Sequence, residues 1–169
     1  MSIYSNVISN IKYLAPLCTS LIFSIITIMP IMPKGYESIT PLLGVISMSF
    51  WIVHRPDIMD WSFVAIIGIF TDILYGSFFG TALLASFAIR LILIRIIHKL
   101  ELVNIYHSLF YVTLSIIIWL IISLSMNTLF NLQSTNYYNY IFQCIISIII
   151  SPMVIFFQLY LLKRIKPKL

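Results

Sequence analysis

Charge is what this sequence lacks. Of its 169 residues, 9% are charged and 61% hydrophobic, and the mean hydropathy is +1.06. A soluble domain carries roughly 25% charged residues; so few could not cover a surface facing water, and the chain reads as an all-α, polytopic integral membrane protein. Cysteine is almost missing too. Cys18 and Cys144 both lie inside apolar runs, with no CxxC and no Cys/His ligand spacing, so neither a metal site nor a structural disulfide is expected. No Walker-type glycine loop, HExxH or GxSxG occurs, and no polar segment is long enough for a soluble catalytic domain. The expectation is a protein that is not an enzyme and needs no cofactor. The net charge of +5 does not point to nucleic acid, because the basic residues sit at the ends of apolar runs. The opening stretch MSIYSNVISNIKY lacks a charged region followed by a small-residue cleavage site, so the first apolar run is expected to stay as a membrane span.

What is present is a series of apolar runs near the length a bilayer requires, about 20 residues each. Six spans are expected, over 13–32, 39–54, 58–75, 78–97, 107–130 and 141–162, with a short basic tail at 163–169. The second is short, and Thr40-Pro41 would supply its N-cap and first turn. Ser151-Pro152 should kink the sixth. Small residues are concentrated in spans three and four, whereas the first, fifth and sixth runs are rich in Ile and Phe. With six spans, Lys12, Arg55, Arg95, Lys99, Lys163, Arg164, Lys166 and Lys168 fall on one side and Lys34 alone on the other. That split places both termini in the cytoplasm under the positive-inside rule. The expected architecture is a compact six-helix bundle forming a single domain.

A few residues interrupt the oil. In HRPDIMDW, Pro56 suits a first helical turn, and Asp57 and Asp60 would lie in the first turn of span three, where the helix dipole favours negative charge. The turn reads either as an interfacial helix start or as a docking surface for a partner. Further along, GIFTDILYGSFFG carries Gly68, Asp72, Gly76 and Gly80 at intervals of four. Asp72 lies about 5 Å short of the outer end of its span. One reading has it accept hydrogen bonds from the open amides of the next helix and from the Ser77 and Thr81 hydroxyls, tying spans three and four into a hairpin. On that reading Asp72→Asn should be nearly silent. The other makes it a proton-relay or cation site. Arg90 is the second buried charge, and three fates are open to it: snorkelling inward toward Arg95, a water-bridged contact with Asp72, or a polar contact such as Gln158. Asn127, Gln143 and Gln158 read as interhelical hydrogen-bonding amides, and Tyr137, Tyr138 and Tyr140 as an aromatic belt. His98 and His107 do not read as a metal pair.

The stretch RPDIMDWSFVAIIGIFTDILYGSFFGTALL resembles the signature region of the rod shape-determining protein MreD family. Arg55, Pro56, Asp57, Gly68, Asp72, Gly76 and Gly80 stand in the matching positions; the specific likeness covers about thirty residues and the rest agrees in hydropathy alone. The resemblance implies a non-enzymatic component of the bacterial elongation machinery in the inner membrane. Its implied partners are an MreC-type bitopic protein and, indirectly, MreB filaments and the peptidoglycan synthases. It also implies a fold similar to the substrate-binding subunits of energy-coupling-factor transporters. A small-molecule carrier, such as a vitamin-binding transporter subunit, is the alternative function.

Overall fold

The computed structural model describes residues 2–29, 40–76, 78–97, 105–130 and 137–165. These form six helices, α1 (Ser2–Ile28), α2 (Leu43–His54), α3 (Trp61–Tyr75), α4 (Thr81–Ile97), α5 (Ile105–Leu129) and α6 (Tyr137–Ile165), and the described residues contain no strand. Two of them, α5 and α6, are long and apolar enough to cross a membrane. Lys34, Ser77, His98, Lys99, Lys166 and Lys168, on which parts of the sequence reading rest, lie outside the described residues.

The short second run is the centre of the molecule. All of α2 except His54 is buried, and α1, α4, α5 and α6 all pack against it. At 1.5 Å per residue its twelve residues reach about 18 Å, well short of a bilayer core. α3 packs on α4 and α1 at one side of this arrangement.

The distribution of polarity explains how the helices pack. The fully buried positions include Ser20 and Ser24 of α1, Ser47 and Ser49 of α2, Ser86 of α4, Ser108 and Ser115 of α5, and Ser147 and Gln158 of α6. The outward positions are apolar: Ile117 and Ile121 of α5, and Ile141, Ile145, Ile149, Met153 and Phe156 of α6, which recur at helical spacing. Lipid gives apolar side chains no reason to hide, so helices embedded in it associate through close packing and hydrogen bonds, using small residues. The seam between α1 and α2 shows both. A Cβ on Gly44 would stand 3.1 Å from the Ser24 backbone, the Ser20 and Ser47 hydroxyls are 3.2 Å apart, and the Trp51 indole donates to the Thr19 hydroxyl at 2.9 Å. Small residues therefore organise α1, α2, α5 and α6 as well, not only spans three and four.

Several boundaries differ from those read in the sequence. α2 starts at Leu43, and Thr40-Pro41 does not cap it; the N-cap position is Leu42, whose side chain makes no cap bond. Its amide donates instead to the Ser147 hydroxyl of α6 at 3.0 Å, while the Gln143 side-chain amide donates to the Thr40 carbonyl at 2.9 Å. Thus a distant helix meets the amide of Leu42, while the Pro41 carbonyl accepts from the Leu43 amide at 2.9 Å. α4 begins at Thr81, three residues later than read. α6 is unbroken through Pro152. Proline removes the amide that would bond the carbonyl four residues back, and the Ser151 hydroxyl donates to that Ile148 carbonyl at 2.8 Å.

Candidate functional site: the hairpin of α3 and α4

The residues that carry the MreD resemblance fall on the turn before α3, on α3 itself and on its connection to α4. α3 ends on Gly76, which sits in the left-handed region at φ 59°, and Gly80 takes φ 101°. Side-chain-bearing residues pay roughly 1–2 kcal/mol for such a backbone, so glycine at these two positions permits the tight reversal. Between them, the Thr81 amide and hydroxyl both donate to the Phe78 carbonyl, at 3.0 Å and 2.7 Å. Phe78 stacks on Phe130 just past the end of α5, with centroids 4.0 Å apart and rings 13° from parallel. The tip is thus held from within and from a third helix.

Asp72 lies where the two helices meet and is 3% exposed. Its Oδ1 accepts from the Ala82 amide at 2.7 Å. Its Oδ2 accepts from the Gly80 amide at 2.9 Å and from the Leu83 amide at 3.2 Å. The first amides of a helix have no partner within it and form the positive end of its dipole. The negative charge that is unfavourable near the end of α3 is therefore balanced by the start of α4. Main-chain amides supply these donors; the Thr81 hydroxyl turns to Phe78 instead. One turn earlier, Gly68 brings the helices together. A Cβ there would meet the Ser86 hydroxyl at 2.6 Å and the Leu83 Cα at 2.8 Å, the latter being backbone that has no room to yield.

At the other end of the hairpin, Asp60 is the N-cap of α3 and is not in its first turn; its side chain accepts from the Trp61 amide at 2.7 Å. Pro56 and Asp57 belong to the turn before it. That turn is fixed by the Arg55 carbonyl, which accepts from the amides of Ile58 at 3.2 Å and Met59 at 3.1 Å. Arg90 reaches this end. Its Nη2 is 3.5 Å from Asp60 Oδ1, and its guanidinium carbon lies 5.0 Å from the centre of the Trp61 ring. Neither Gln158 nor Asp72 is its partner. A helical side chain ordinarily leans toward the N-terminus of its helix, but this one runs the opposite way, toward the charged end of the hairpin. Gln158 spends its amide on Ser47 of α2, and Asn127 of α5 pairs with Tyr140 of α6.

The reading of Gln158 as an interhelical amide holds, since it bonds Ser47 of α2, but sequence reasoning missed the buried chain that continues from it. Gln158 donates to Ser47, Ser47 meets Ser20, and Ser20 donates to the Pro16 carbonyl at 2.8 Å; the Gln158 Oε1 has no partner. It also missed the contact between the His54 ring and the Ser108 hydroxyl, 3.3 Å apart. The signal was present as Gly44, Ser47, Trp51 and His54, which recur at three- and four-residue spacing along α2. No group of three metal-binding side chains occurs among the described residues. Compared with known proteins, the chain matches no family model, no curated protein and no solved structure.

Proposed function

We propose that this chain is a multi-pass scaffold of the bacterial inner membrane in the cell-elongation machinery, non-enzymatic and of the MreD type. In this reading it crosses the membrane six times with both termini in the cytoplasm. It binds an MreC-type partner and links MreB filaments to peptidoglycan synthesis. The observation that supports it is the convergence of the signature positions on one hairpin. Asp72 accepts from Gly80, Ala82 and Leu83, Gly68 permits the close approach of the helices, and Gly76 ends α3. A motif that builds a rigid helical pair suits an assembly role better than chemistry. Co-expression with the MreC-type protein of the same cell, followed by extraction in mild detergent, tests the reading. Recovery at fixed stoichiometry, lost when the hairpin is disrupted by Gly68→Leu, is the expected result; a folded chain that never retains the partner removes it.

The buried chain Gln158–Ser47–Ser20, with an unpartnered acceptor at Gln158 Oε1, favours a second reading as a small-molecule carrier. Thermal stabilisation by one member of a vitamin panel would establish that reading over the first.

A further inference from the structure

Arg90 is 5% exposed, yet its Nε and Nη1 have no hydrogen-bond partner. Burying guanidinium donors without acceptors is costly, and leucine would fill the same place without that penalty. The guanidinium fork is shaped for two oxygens of a phosphate or carboxylate. One face of it is covered by the Trp61 ring, 5.0 Å away, and Trp61 is itself exposed. Asp60 stands beside them. Its Oδ1 takes both the Trp61 amide and the Arg90 contact, which leaves Oδ2 for another donor, on a side chain that is 62% exposed.

The order of charges along the hairpin is therefore specific. Arg90 lies seven residues before the end of α4 at Ile97, about 10 Å in, while Asp60 is at the very start of α3. A buried cation and an exposed anion, roofed by an indole, complement a zwitterion that enters phosphate first and keeps its ammonium outermost. In a bilayer, phosphatidylethanolamine presents those groups in that order, and tryptophan favours that depth. We propose that the corner formed by Asp60, Trp61 and Arg90 binds the headgroup of phosphatidylethanolamine. The phosphodiester accepts from Arg90 Nη1 as the Trp61 ring swings aside, and the primary ammonium donates to Asp60. The site rests on the multi-pass reading, which puts this end of the hairpin at the membrane surface.

The test uses the full chain in mild detergent, titrated with short-chain phosphatidylethanolamine, phosphatidylglycerol and phosphatidylcholine, with bound lipid read by native mass spectrometry. Phosphatidylglycerol lacks the ammonium, and the quaternary nitrogen of phosphatidylcholine has no proton to donate. Phosphatidylethanolamine should be held about tenfold more tightly than either, the usual worth of one charge-assisted hydrogen bond. Asp60→Asn should bring the preference over phosphatidylglycerol to about parity, and Arg90→Gln should lose all three lipids. Should Arg90→Gln fail to fold, the exposed position Asp60 still decides the matter. Equal retention of the three lipids, or an unchanged preference in Asp60→Asn, overturns the proposal. So does displacement of the lipid by an acidic peptide that binds more tightly, since the corner would then belong to a protein carboxylate. Failure of the multi-pass reading shows separately: with Cys18 and Cys144 replaced by serine, Asp57→Cys and Phe79→Cys would be labelled from the same side of the membrane instead of opposite sides.

Discussion

Replacing Asp72 by asparagine separates the structural role of this carboxylate from an ionic one. Had Asp72 capped α4 through one oxygen, asparagine would serve as well, and the substitution would be nearly silent. Both oxygens are engaged, however, Oδ1 by Ala82 and Oδ2 by Gly80 and Leu83. Asparagine keeps one acceptor and turns the other into a donor that faces an N–H. A hydrogen bond to a charged group is worth about 1.5–3 kcal/mol net, so Asp72→Asn should cost about 2 kcal/mol. Asp72→Ala surrenders the bonds from Gly80, Ala82 and Leu83. Ala82 is buried, whereas Gly80 and Leu83 are only half-buried and recover part of their loss, which brings the expected cost to about 3–4 kcal/mol.

Reversible unfolding in mixed micelles, followed by the fluorescence of Trp51, Trp61 and Trp119, reads both values. About 2 kcal/mol corresponds to a roughly thirtyfold rise in the unfolding constant. An Asp72→Asn protein as stable as the parent, within about 0.5 kcal/mol, would refute the two-oxygen cap. A proton-relay residue gives the opposite pattern, with a normally stable asparagine variant that has lost function.

Gly68→Leu should destabilise the chain by about 1–3 kcal/mol through overpacking, since its first carbon already meets the Leu83 Cα at 2.8 Å; the same micelle titration measures it. Gly76→Ala meets no neighbouring atom and should lose only the backbone term, about 1 kcal/mol, with Gly76→Asn closer to the parent. Gln158→Leu, at a fully buried position, should be neutral or stabilising by up to about 1 kcal/mol, because it removes an unpartnered acceptor along with one hydrogen bond. A clear loss of stability there would show that Oε1 is satisfied in the membrane.

The helices were legible because their signals are local. Apolar runs broken by HRPD and YGSFFG mark the ends of α2 and α3 within a few residues, and Asp72 finds its donors only eight to eleven positions away. What was illegible depends on distant partners. The Leu42 amide, just before α2, is satisfied from Ser147, 105 residues on, a partner that no local pattern reveals, and Thr40-Pro41 misled as a side-chain cap. For Arg90 the direction toward the Arg95 end of α4 was legible but the partner was not: its side chain departs from the usual lean of helical residues and reaches Asp60 across the hairpin. The serine seams were overlooked because Ile and Phe dominate the runs that carry them. Ser20 and Ser24, or Ser147 and Ser151, are four apart, and that interval was a readable sign of a packed helix face.

The motif that resembles MreD also divides into two kinds of residue. Gly68 and Asp72 face inward, against α4, and are buried, so no partner touches them without opening the hairpin. On the same helix Ile66, Ile69 and Ile73 point outward and are exposed, forming an apolar stripe on the opposite face. Arg55, Asp57 and Asp60 lie at an accessible turn. Loss of a partner through Asp72 must therefore act by way of the fold and be accompanied by loss of stability. Loss through charge reversal at Asp57, exposed and outside any helix, should leave stability unchanged. If both variants lost the partner with stability intact, the partner would have to reach into the hairpin itself, and the rigid scaffold proposed above would give way to one that opens on binding.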